Sequence, residues 1–96
     1  MTLSLQEISD RLEIHDLIVE YAEIIDTKDF ERLDEVFHPD CYIDYTAMGG
    51  IEGKLSEIKA FLTEVMPMFP ATQHMISNYK ITLDGDTARG KIMCLP

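Results

Sequence analysis

The sequence predicts an α+β fold in which about three helices pack against a β-sheet. Three observations carry this expectation. A capped, apolar-rich helical stretch opens the chain, an alternating segment stands at Cys41-Tyr42-Ile43-Asp44-Tyr45, and an Asp84-Gly85 turn joins two alternating runs near the end.

The first helix begins at Ser4. Ser4 followed by Glu7 has capping-box spacing, in which each side chain satisfies an orphan backbone N–H of the other at a helix start. Turned at about 100° per residue, Glu13, Asp16, Glu20 and Glu23 gather on a narrow arc. Leu5, Ile8, Leu12, Ile14, Leu17, Ile18, Val19, Tyr21, Ala22, Ile24 and Ile25 fill the rest, which predicts a helix buried on most sides. Like charges one turn apart, such as Asp16 and Glu20, weaken it slightly, so tertiary burial has to hold it.

Two polar residues interrupt the apolar arc. Asp26 falls in line with Ile8, Val19 and Ala22, and His15 lies beside that line. Eleven residues at about 1.5 Å rise keep the two about 16 Å apart, so each needs its own explanation. His15 reads as a partly buried histidine at the helix's edge, with one ring nitrogen bonded. Asp26 has two readings. In one its carboxylate turns back to the next turn or to Lys28. In the other, apolar burial and the negative end of the helix dipole both raise its pKa, as acid–base sites require.

After a break at Thr27-Lys28, Asp29 is placed to N-cap a short second helix through Phe30, Leu33, Val36 and Phe37, ended by His38-Pro39-Asp40. The strand at Cys41–Tyr45 then puts Cys41, Ile43 and Tyr45 on the core face and Tyr42 and Asp44 on the other. A core tyrosine needs a partner for its hydroxyl, so Tyr45 is either a structural bond or a pocket donor. Met48-Gly49-Gly50 and Gly53 mark a loop. Lys54 to Met66 reads as a third helix through Leu55, Ile58, Phe61, Leu62 and Val65, ended by Pro67 and Pro70. Met66, Met68 and Met75 are gap-filling core or pocket wall.

The last segment reads as a hairpin, Thr72 to Leu83 and Asp86 to Leu95 around a type I′ turn at Asp84-Gly85. That turn sets Ile81 opposite Ala88 and Tyr79 opposite Gly90, with Tyr79, Ile81, Leu83, Ala88, Gly90 and Ile92 on one core face. His74 and Ile76 are out of phase with that face. A β-bulge near Ser77-Asn78 restores the phase and turns His74 inward.

Composition narrows the function. The net charge is -10, with twelve acids and three bases in residues 1–40 against six and five in residues 41–96. Clustered Lys and Arg, which a nucleic-acid partner needs, are lacking. No run approaches the ~20 apolar residues of a membrane span, and residues 1–7 lack the pattern of a signal peptide, so a cytoplasmic protein is expected. Cys41 and Cys94 have no metal-ligand spacing and read as reduced thiols. The glycines form no nucleotide motif, so neither cofactor nor metal is expected.

Several stretches resemble scytalone dehydratase and SnoaL-like proteins of the nuclear-transport-factor-2-like superfamily. They are Tyr21-Ala22-Glu23-Ile24-Ile25-Asp26-Thr27-Lys28-Asp29-Phe30-Glu31-Arg32-Leu33, Ile43-Asp44-Tyr45, Thr72-Gln73-His74 and Asp84-Gly85-Asp86-Thr87-Ala88. The resemblance implies a cone-shaped, curved mixed sheet around a central apolar pocket, in one domain over residues 1–96. It also implies a dyad of Asp26 and His74, with Tyr45 positioning a substrate oxygen through water. In that scheme His74 is general base and acid in a syn elimination, Asp26 orients its ring, and Tyr45 polarises a carbonyl. Tyr21, Ile25, Met48, Phe61, Val65 and Asn78 are the substrate-lining candidates. The substrate the resemblance implies is a small hydrophobic hydroxyketone or polyketide-like compound.

Two departures accompany the resemblance. Ile25 stands where such dehydratases carry a second tyrosine, and no second pocket histidine follows the hairpin turn. The family also continues for two further strands, so the chain is expected to be a C-terminally incomplete domain or one completed by a partner. A homodimer through the sheet face follows from the same resemblance. Two other readings stay open. One is a non-catalytic binding or assembly module. The other is isomerase-type proton transfer from the first strand, where Tyr45 holds the matching position and Asp44 faces the opposite way.

Overall fold

The computed structural model describes residues 2–68 and 75–95, with backbone alone at Met48, Met75, Asn78 and residues 93–95. Helix α1 spans Leu5–Thr27 and is followed by a 3-10 helix at Phe30–Glu35. Strands β1 (Tyr42–Asp44) and β2 (Glu52–Lys54) flank a second 3-10 turn, Thr46–Met48. Helix α2 (Leu55–Val65) runs into a third, Met66–Met68, and β3 (Met75–Asp84) and β4 (Thr87–Leu95) close the chain. The architecture is α+β, and the described strands form two antiparallel pairs, β1 with β2 and β3 with β4.

The described residues gather into two compact units. One takes α1 as far as Glu23 together with β3 and β4; the other runs from Ile24 through α2. The second unit holds most of the core. Ile24, Leu33 and Ile58 are fully buried there, joined by Ile25, Phe30, Ile43, Leu55 and Leu62.

α1 starts where the capping box places it. Ser4 Oγ accepts the Glu7 N–H at 3.1 Å, and Glu7 Oε1 accepts the Ser4 N–H at 3.2 Å. It ends on a Schellman pattern, with the Lys28 N–H on Ile25 O and the Asp29 N–H on Ile24 O, each at 3.2 Å. Lys28 takes the left-handed conformation that this motif requires, with φ 61°.

The expectation that α1 is buried on most sides does not hold. Leu5 is 86% exposed and Leu12 61%, and Ile8, Leu17 and Val19 are exposed as well. Burial is confined to Ile18, Ala22, Ile24 and Ile25 in the second half. The apolar arc fixes which residues are able to be buried, whereas actual burial depends on what packs against each turn. His15 differs too. It is exposed rather than partly buried.

The second helix is a 3-10 helix, and Asp29 makes no side-chain cap. Its bonds run three residues back, from the Arg32 N–H to Asp29 O at 3.0 Å and from the Val36 N–H to Leu33 O at 3.1 Å. Three residues per turn align Phe30 with Leu33, and both are buried. β1 alternates as expected, with Ile43 buried between exposed Tyr42 and Asp44. Strand β2 arises in the expected loop, because Glu52 to Lys54 pairs with Asp44 to Tyr42. Helix α2 opens with the Lys54 N–H on Glu57 Oε1 at 3.2 Å. Cys41 is a half-buried free thiol.

In the hairpin, Ile81 pairs with Gly90, Leu83 with Ala88, and Asp84 with Thr87. The two loop residues are therefore Gly85 and Asp86, one position later than expected, and each expected partner moves by two. A shift of two preserves alternation, but the expected core face is not buried: Ile81 and Leu83 are half-buried, whereas Tyr79, Ala88, Gly90 and Ile92 are exposed. Gly85 has φ 58° while Asp86 is not left-handed. That fits a type II′ turn, which puts glycine first, rather than the type I′ turn expected. The bulge lies where the phase argument places it, since Ser77 pairs with Met93 but Lys80 with Lys91. Three steps on β3 thus match two on β4.

Candidate functional site

Tyr45 follows β1 and is half-buried. Its N–H donates to Ile51 O at 2.9 Å, and its carbonyl accepts the Gly50 N–H at 3.0 Å. These bonds close the loop around the Thr46–Met48 turn and fix the Tyr45 backbone on both sides. A Cβ at Gly50 would lie 2.9 Å from Tyr45 Cβ and 3.4 Å from Phe61 Cε1. Glycine is what lets the loop pass between Tyr45 and Phe61.

Two of the expected site residues, Tyr45 and Phe61, thus flank Gly50. Val65, one turn after Phe61 on α2, is half-buried like it. Asp26 belongs to the same compact unit. It is half-buried in the last turn of α1, directly after the buried pair Ile24 and Ile25. Tyr21, half-buried, belongs to the other unit. His74 lies outside the described residues, and Met48 and Asn78 are described by backbone alone.

The polar groups beside Tyr45 carry distinct electrostatics. Thr46 donates its hydroxyl at 2.6 Å and its N–H at 2.8 Å to Asp44 Oδ1. Those bonds hold the Asp44 carboxyl below the usual carboxylate range. A carboxylate so held is a weak base near neutral pH, which disfavours Asp44 as the proton acceptor of an isomerase. Tyr42 on the same outer face has its phenol pushed up, first by desolvation and then by the neighbouring Glu52 charge.

Two surface hollows stand elsewhere. One of about 700 Å³ is lined by Asp10, Glu13, Ile14, Leu17, Leu83 and Asp86 among others. The second, of about 540 Å³, is lined by Glu31, Ser56, Lys59, Ala60, Thr63 and Glu64. Neither is lined by Asp26, Tyr45 or Phe61. Lys59 bridges the second to the 3-10 helix, 3.2 Å from Asp34 and 3.4 Å from Glu31. Among the described residues, no group of three or more His, Cys, Asp and Glu is placed to hold a metal ion. No described helix is long and apolar enough to cross a membrane.

Sequence reasoning missed one polar constellation. His15 Nδ1 lies 2.8 Å from the Tyr79 hydroxyl, and Arg11 Nη1 donates to Ile81 O at 3.0 Å. His15 stood out as an interruption of the apolar arc, but its partner depends on the packing of α1 against β3.

The SnoaL-like domain family matches residues 6–96. The chain belongs to this SnoaL-like family. Its SnoaL-like match covers every expected site residue, from Tyr21 to Asn78. Among its relatives is a protein of Mycobacterium bovis, named only as uncharacterized, that is 50% identical over 92 residues. Two strains of Mycobacterium tuberculosis carry proteins, likewise named as uncharacterized, with the same identity over the same length. Each alignment covers 96% of this chain and 63% of the relative, so the SnoaL-like chain spans somewhat less than two thirds of these proteins. No solved structure gives a significant match.

Proposed function

We propose that this SnoaL-like chain carries the acid–base site of a cofactor-independent dehydratase, isomerase or cyclase. Its substrate is a small hydrophobic hydroxyketone or polyketide-like compound held in a central pocket of a cone-shaped domain. His74 moves the proton, Asp26 orients the imidazole and holds its tautomer, and Tyr45 polarises the substrate carbonyl as it becomes enolic. Ile25, Phe61 and Val65 supply apolar wall, with Tyr21, Met48 and Asn78 as further contacts. The protein acts as a cytoplasmic homodimer, with the outer face of β1, where Tyr42 is 66% exposed, contributing to the contact.

The observation that carries this reading is the setting of Tyr45. A half-buried phenol stands on a loop fixed by two backbone bonds, with an aromatic wall across Gly50. Rigid support of this kind suits a group that has to meet a carbonyl oxygen at a set distance. Membership of the SnoaL-like family adds the expectation of small-molecule isomerase or cyclase chemistry.

Turnover of a panel of aromatic and polyketide-like hydroxyketones tests the proposal. Asp26→Asn and His74→Ala are each expected to lower kcat by roughly 100-fold or more, the scale of a lost general acid–base group, without unfolding the protein. Ligand binding with no turnover of any panel member would instead identify a binding module.

A further inference from the structure

Helix α1 meets the β3–β4 hairpin through polar contacts on two successive turns. Arg11 Nη1 donates to Ile81 O at 3.0 Å, and one turn later His15 Nδ1 lies 2.8 Å from the Tyr79 hydroxyl. The spacing is consistent on both sides, because residues four apart on a helix and two apart on a strand each share a face. The two rings are tilted by 36° with centroids 5.8 Å apart. Tyr79 stands within the register slip between Ser77 and Lys80, and bulges re-aim side chains in this way.

A phenol is a poor nucleophile near neutral pH, because its pKa is about 10. A base at hydrogen-bond distance changes this, since the proton can leave as the oxygen attacks. With the ring proton on Nε2, His15 Nδ1 is such a base. Both groups are open to solvent, Tyr79 being 40% exposed and His15 exposed. Tyr42 provides the contrast. It is 66% exposed, but it faces Glu52, and its phenol is pushed up.

We propose that Tyr79 is a nucleophilic phenol, with His15 as its general base, that accepts the acyl group of activated esters. The Tyr79 oxygen bonds to the acyl carbon while its proton passes to His15 Nδ1. The bond from the acyl carbon to the leaving oxygen breaks, and that oxygen departs with the electron pair and takes the proton that His15 received, which returns His15 to its neutral form. Nothing is oxidised or reduced. The site uses neither Asp26 nor Tyr45 and stands independently of the chemistry proposed for them. The charged group whose position is fixed beside the pair is Arg11, one helical turn before His15, with its guanidinium on Ile81 O.

The test is brief exposure to p-nitrophenyl acetate, followed by mass spectrometry of the peptides carrying the four tyrosines. Tyr79 is expected to acetylate roughly tenfold or more faster than the more exposed Tyr42. His15→Gln, which keeps an acceptor but no base, is expected to slow Tyr79 about tenfold or more and leave Tyr42 unchanged. Labelling in order of exposure, acetyl on His15 in place of Tyr79, or an unchanged Tyr79 rate in His15→Gln overturns the proposal. The ranking of Tyr79 against Tyr42 in the unaltered protein decides the matter even if the variant folds poorly.

Discussion

Asp44 and Tyr45 are neighbours in different settings, the first exposed and the second half-buried. Asp44 is exposed and receives two donors from Thr46, so its carboxyl is lower in the folded protein than in the unfolded chain. Its ionised form therefore favours folding above the ordinary carboxylate range, and that contribution fades as pH falls through the lowered folded value. Carboxyl NMR is expected to find Asp44 titrating below an ordinary aspartate and moving upward in Thr46→Val. An unchanged midpoint in that variant would remove Thr46 as the cause. Alternation across Cys41 to Tyr45 was enough to put Ile43 inside and Tyr42 and Asp44 outside. The placement of Gly50 between Tyr45 and Phe61 was not legible, because it joins segments whose spacing carries no periodic signal. The His15–Tyr79 contact was hidden for the same reason.

At the level of elements, ends were more legible than interiors. Ser4 with Glu7 marked the start of α1, and the break at Thr27-Lys28 marked its end. The residue in the left-handed position there is lysine, where glycine is usual. A side chain in that conformation costs about 1 kcal/mol, so Lys28→Gly is expected to stabilise the protein by roughly 0.5–1 kcal/mol. Urea unfolding measures it, and a loss of stability would show that the Lys28 side chain contributes more than its backbone costs. Strand β2 escaped notice because Glu52-Gly53-Lys54 has no apolar alternation, and it forms by pairing with β1. The 3-10 character of Phe30–Glu35 was equally hidden, since Phe30 and Leu33 align under either helical period. The hairpin turn moved one position because glycine takes the first loop position that a type II′ turn reserves for it.

For the whole molecule, family and α+β class were legible from short stretches spread along the chain. Sedimentation over a wide concentration range is expected to show a homodimer, and a monomer throughout would remove the partner contact. The central claim concerns Asp26 and His74, and an NMR pH titration of the His74 ring in the natural protein and in Asp26→Asn tests it most directly. A carboxylate against an imidazole favours the charged ring, so the His74 pKa is predicted to fall clearly when Asp26 becomes asparagine. An identical His74 titration in both proteins would mean that the two side chains do not meet, and the acid–base account would give way to a binding module.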